Sequence, residues 1–154
     1  MAELPQEVFF STAVELNQRL IRKEFSAVEL AKAFVARLER HASVALSLMK
    51  DAHEKARDVD RELKRDRTRG PLQGVPYAIT DLLSVARRPT TWGSPIFARQ
   101  AFQDNAAVVD KLGKSGAVLA AKLRALELGG AGLLTAAGAA PFAAAVAEGL
   151  VPYA

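Results

Sequence analysis

Apolar residues recur at helical spacing through the first third of the chain and give way to short, non-periodic apolar runs beyond Gly70. Ser11 or Thr12 opens a first helix, since Thr12 and Glu15 have the spacing of a capping box and Ala13, Leu16, Leu20 and Ile21 form an apolar stripe behind them. Ser26 and Glu29 repeat the signal, and Leu30, Ala31, Phe34, Val35 and Leu38 carry a second helix to about Arg40. The short apolar run from Val44 to Met49 reads as a strand. A third helix follows from Asp51 to about Asp66, with Ala52, Ala56, Val59 and Leu63 on one face.

The texture then changes. Gly70 and Pro71 break the helical pattern, and Val75 to Thr80 reads as a buried strand entered through Pro76. From Asp81 to Gln103 no period is sustained; Pro89, Gly93 and Pro95 mark an ordered loop around Trp92. Asp104 is the expected N-cap of a helix from Asn105 to Ser115 with Val108, Val109 and Leu112 inward, and Gly116 suits the left-handed residue that ends it. Ala117 to Ala121 is the next strand. Strand, helix, strand, helix, strand in this order predicts an α/β fold: N-terminal helices, then alternating strands and helices with a right-handed crossover.

Composition narrows the class. At 154 residues and 50% hydrophobic content the chain has the size and core material of one soluble domain, which excludes disorder for the bulk. The absence of cysteine excludes disulfides, thiolate nucleophiles and cysteine-bound zinc, and His41 and His53 alone build no histidine-rich metal site. The net charge of +4 is spread, and Lys50 to Arg69 interleaves acids with bases, as on a solvated helix face rather than a nucleic-acid patch. Helical His53 beside Asp51 and Glu54 reads as a surface residue, not a base. The N-terminus shows no secretory pattern, so a cytoplasmic protein is expected.

Between Glu127 and Glu148 no charged residue occurs, and residues 129–154 hold 10 alanines and 5 glycines. That uncharged length matches a membrane span of about 20 residues. Alanine and glycine contribute little transfer energy, however, and Pro141 interrupts the run. A tail lying against a partner is the expectation, with the character of a small membrane-associated protein as an alternative. A search for phosphate loops, dinucleotide loops, zinc-protease helices and serine elbows finds none, and only Gly70 to Ser94 has a composition too particular for a plain connection.

That segment carries a resemblance. Gly70-Pro71-Leu72-Gln73-Gly74-Val75-Pro76-Tyr77-Ala78-Ile79-Thr80-Asp81 resembles the G-P-L-x-G-[IV]-P-x-A-[VI]-K-D motif of the amidase-signature family. Pro89 to Ala98 is similar to its P-T-T-x-G-S stretch, Asp104 to Lys122 to its following helix and strand, and Ser26 to Arg40 to its early S-A-x-E-L helix. The motif positions singled out are Gly74, Pro76, Asp81, Thr91, Gly93 and Ser94. The resemblance implies a mixed central sheet with helices around it, and hydrolysis or transfer at a carboxamide. It also implies a serine nucleophile, a second serine in a cis peptide, and a lysine base whose amine must be neutral to accept a proton.

Two departures touch that chemistry. Thr80 stands where the family has its lysine, and a hydroxyl that does not titrate near neutral pH is no substitute for an amine. The Gly/Ser-rich stretch that carries both family serines has no counterpart in this sequence, and Lys122 matches a different family lysine. Thr80 also has a purely structural reading as a β-branched strand residue, as Trp92 and Tyr77 do as packing anchors. The sequence therefore predicts residues 1–128 as a partial amidase-signature domain with residues 129–154 as a docking element. The expected role is a non-catalytic structural or interaction subunit, with no cofactor or metal. Its partners would be other protein subunits or further copies, not nucleic acid. The alternative is an amide hydrolase half that needs a partner chain.

Overall fold

A computed structural model of the chain describes residues 4–41, 43–129, 149 and 152. After a 3-10 turn at Gln6–Phe10 come α1 (Ala13–Ile21), α2 (Ala27–Glu39), β1 (Ala45–Leu48), α3 (Ala52–Leu63), β2 (Pro76–Thr80), α4 (Ala107–Lys114) and β3 (Val118–Leu123). Both expected capping boxes form: Thr12 and Ser26 accept from the backbone of Glu15 and Glu29, whose carboxylates reach back to the cap N–H groups. The α2 N-terminus gains a second anion, because Asp60 on α3 accepts from Ala27 N at 2.7 Å and Val28 N at 3.2 Å. Such contacts are each worth about 1 kcal/mol, and here they also fix α3 against α2.

The sheet is mixed, in the order β1-β3-β2: β1 is antiparallel to β3 and β2 runs parallel to it. Phe34, Leu16, Leu20 and Leu30 fill the core between the N-terminal helices, joined by Met49, Ala56, Val59 and Val118 from the layer below. Leu38, Val44, Ala121 and Leu123 form a second cluster on one sheet face, while Ile79, Val85 and Val109 form a third beneath α4.

Several expectations are corrected. Asp104 does not cap α4; the helix begins at Ala107 behind Ala106 with no side-chain cap, and Asp104 is exposed. Asn105 is used instead, accepting from Ala86 N at 2.8 Å and donating to Asp110 at 2.8 Å. With the helix shifted, Val109 is its buried residue and Val108 faces solvent. Ile21 is likewise exposed, because the buried face of α1 centres on Ala13, Leu16, Asn17 and Leu20 and leaves it at the margin. The last strand is Val118–Leu123, which brings Lys122 inside it. β1 is trimmed to Ala45–Leu48, and α3 ends at Leu63, followed by Asp66 at φ 53°. Apart from residues 129, 149 and 152, the Ala/Gly-rich tail lies outside the described residues.

Candidate functional site

The carboxyl ends of β2 and β3 carry the most concentrated buried polarity among the described residues. Lys122 and Asp81 are both at 0% exposure. Lys122 Nζ lies 2.8 Å from Asp81 Oδ1 and donates to Pro89 O and Thr90 Oγ1, both at 2.7 Å. Two hydrogen bonds and one ion-pair contact thus hold the Lys122 amine in place. The other Asp81 oxygen accepts from Thr91 N at 2.9 Å and from the Thr91 hydroxyl. Asp81 N extends the strand pairing one step past β2 by donating to Leu123 O at 2.9 Å, which fixes where the carboxylate starts.

These bonds hold the loop that follows. Thr90, missed from sequence, is fully buried; its N–H donates to Gln100 O and its C=O accepts from the Gln100 side-chain amide, both at 2.9 Å. Trp92 and Gly93 take left-handed conformations, φ 52° and 73°. At Gly93 this is compulsory: an added Cβ would sit 2.5 Å from Ala125 O and 2.6 Å from Leu126 C. Buried Ser94 donates its hydroxyl to Glu127 Oε1 at 2.7 Å, tying the loop to the turn after β3. Gly74 and Pro76 belong to the opposite end. Gly74, at φ 80°, donates to Gly116 O at 2.9 Å and admits Leu20, while Pro76 opens β2 opposite Val118. The structure therefore gathers Asp81, Thr91, Gly93 and Ser94, and leaves Gly74 and Pro76 as strand-entry residues.

Thr80 closes β2. The register sets Ile79 opposite Lys122 and Thr80 opposite Leu123. Side chains alternate along a strand, so Thr80 leaves the sheet on the Leu123 face and Lys122 on the other. Lys122 therefore does not deliver its amine to the position a lysine at residue 80 would serve. Its amine is instead tied to Pro89 O and Thr90 Oγ1 beside the Asp81 carboxylate. In this arrangement the cluster acts as a clamp on the loop from Pro89 to Thr91.

On the Tyr77 side of the sheet, a groove of about 600 Å³ runs between α3 and α4. Met49, Val59, Val85, Val109 and Leu119 line it with Tyr77, whose phenol is pushed up to about 12 by burial first and the Asp110 charge second. Tyr77 packs against Ile79, Val85 and Val109 while one side of it faces the groove. Trp92 packs edge-on against Phe97, with ring centroids 5.0 Å apart, and against Phe102 at 6.1 Å. Half-buried His53 lies on α3, and the described residues contain no group of three or more metal-ligating side chains. None of the described helices is long and apolar enough to cross a membrane.

A second polar network missed from sequence lies at the other end. Gln73, fully buried, donates to Glu62 and Arg67 O and accepts from Arg69 N, while buried Asn17 donates to Gln73 O at 2.9 Å. It shapes the Gly70–Gly74 approach to β2 and reaches the rim of the groove through Arg69.

Comparison with known proteins places this architecture. The family described as Amidase matches residues 29–131. A glutamyl-tRNA(Gln) amidotransferase subunit of Carboxydothermus hydrogenoformans is 37% identical over 120 residues, covering 75% of this chain and 25% of that protein. An amidase of Pseudomonas putida is 36% identical over the same share of each. Among solved structures, the native peptide amidase from Stenotrophomonas maltophilia superposes with a TM-score of 0.71 at 28% identity, over 78% of this chain and 26% of that one. The chain thus spans about a quarter of the length of the curated relatives it matches.

Proposed function

The chain belongs to the amidase family, and from that premise we propose that it acts as a non-catalytic, amidase-like structural subunit that works in contact with other polypeptides. The observation that carries the reading is Thr80 at the end of β2, where the family motif has its lysine. A threonine hydroxyl has no basic lone pair near neutral pH, so the step that deprotonates a serine has no acceptor there. Lys122 does not compensate, since it emerges on the other face and its amine is held by Pro89 O, Thr90 Oγ1 and the Asp81 carboxylate. The family's clamp residues are kept while the base is not, as suits a fold retained for its shape.

A second reading is an amide hydrolase half completed by a partner chain. The intact Asp81–Lys122 clamp favours it, as does similarity to a protein named as one subunit of an amidotransferase. The two readings separate in one assay. Purified wild-type chain and Thr80→Lys are incubated with a p-nitroanilide amide, alone and with co-expressed candidate partners. The structural reading expects wild type to stay at the uncatalysed rate in every mixture. Wild-type turnover well above background overturns it, with a partner in favour of the second reading and without one against both.

A further inference from the structure

Phe9 and Phe10 end the 3-10 turn Gln6–Phe10, and the fold holds both rings in place. Buried Phe9 packs on Phe34 of α2, with ring centroids 5.2 Å apart. One turn further along α2, the Arg37 guanidinium lies 4.8 Å from the Phe9 ring centroid and 5.7 Å from that of Phe10. Ser11 closes the turn, donating its hydroxyl to Glu7 O at 3.2 Å and its N–H to Val8 O at 3.3 Å. Phe10 is left 44% exposed. Against this turn lies Gly149, from the far end of the sequence, buried and at φ 59°. An added Cβ there would stand 2.8 Å from Phe9 O, 3.1 Å from Phe9 Cβ and 3.2 Å from Phe10 Cε1. So close an approach of one backbone to another needs a residue without a side chain, and the left-handed φ has the same requirement. Gly149 is fitted to the turn by both.

We propose that the Phe9–Phe10 turn is a docking seat whose occupant is this chain's own C-terminal segment, anchored by Gly149. The sequence reading sends residues 129–154 to a partner; the contact at Gly149 gives that segment a seat within the chain. Residues 149–154 carry no charge, which suits a surface made of two aromatic rings. The seat is ready-made, since Phe34 and Arg37 already fix those rings, and little ordering is left to oppose docking. A segment of the same chain also meets it without the translational cost that a separate partner bears. Docked there, the segment covers the aromatic turn, and any protein that binds this surface has first to displace it. The proposal is independent of whether the chain has catalytic activity.

Nuclear Overhauser spectroscopy on the full chain tests it. Wild type should give cross-peaks from the Gly149 α-protons to the Phe9 β-protons and the Phe10 ring. Gly149→Val should abolish them, because its branched side chain meets the Phe9 carbonyl, and should raise the binding of anilinonaphthalene sulfonate as the aromatic turn is uncovered. Phe10→Ala, which removes a ring without touching the C-terminal segment, should shift the Gly149 resonances. Neither Gly149 nor Phe10 belongs to the main hydrophobic core, so unchanged circular dichroism melting separates an emptied seat from a lost fold. Absence of the cross-peaks in wild type, cross-peaks that survive Gly149→Val, or dye binding that does not rise in that variant overturns the proposal. So does a mixture of labelled and unlabelled chains in which the cross-peaks run between chains, which would assign the seat to a second copy.

Discussion

Lys122 and Asp81 meet at 2.8 Å with neither side chain reaching solvent, and between them they hold Pro89, Thr90 and Thr91 against the ends of two parallel strands. Such a pair owes its worth to the two charges meeting. Burying either alone is costly, and here the ammonium lies against the carboxylate while hydrogen bonds to Pro89, Thr90 and Thr91 hold both in place.

Lys122→Met is therefore expected to destabilise the fold by about 3–5 kcal/mol, because it leaves the Asp81 carboxylate buried without its cation. Asp81→Asn should cost a similar amount from the other side. The double variant should be less unstable than the sum of the singles by about 1–3 kcal/mol, since the two losses share one cause. Urea unfolding of the four proteins gives that coupling directly. Additive losses would mean that the two residues act separately.

The N-terminal half was legible because its signals are local. Thr12 with Glu15 and Ser26 with Glu29 lie within one helical turn, so the caps, the helices and their apolar stripes could be read together. The clamp was not legible in that way: Lys122 finds acceptors 32 and 33 residues away, and only the motif resemblance marked Asp81 and Thr91. Asp104 misled for the same reason. It is a good cap by type, but the contact of Asn105 with Ala86, 19 residues back, fixes the approach to α4 and starts the helix later.

Gly93 and Gly74 both adopt left-handed backbone, yet they should respond differently to alanine. The added Cβ at Gly93 meets backbone atoms of Ala125 and Leu126, which cannot swing away. At Gly74 the nearest atom is the end of the Leu20 side chain, at 2.7 Å, which can rotate. Gly93→Ala should cost about 2–4 kcal/mol, combining left-handed strain with overpacking, and Gly74→Ala distinctly less. Thermal unfolding ranks them, and a larger loss at Gly74 would refute the distinction.

Acid should weaken the fold through carboxylates that the folded state holds ionised. Glu29 lies below its ordinary 4.5 because the Ser26 backbone N–H, then the Ser26 hydroxyl, bond its charged form. Glu62 is lowered chiefly by its hydrogen bond from Arg69. A depressed carboxylate contributes stability that is present above 4.5 and is lost as pH falls through the folded value. The melting temperature should accordingly drop below that point. Glu29→Gln and Glu62→Gln should each flatten the decline, and an unchanged slope in the double variant would show that other groups govern it.

Base should act through Tyr77 in the opposite sense. Burial in the groove, reinforced by Asp110, raises its phenol from 10.0 to about 12. Between those values the unfolded chain has lost the proton and the folded chain keeps it, so each step up in pH favours unfolding. The sequence holds two tyrosines, so a spectroscopic titration of phenolate absorbance should contain a component near 12 that Tyr77→Phe removes. The same substitution should also lessen the loss of stability above pH 10, the ordinary phenol value. If the high component survives in Tyr77→Phe, the groove does not hold that ring as closely as its burial implies.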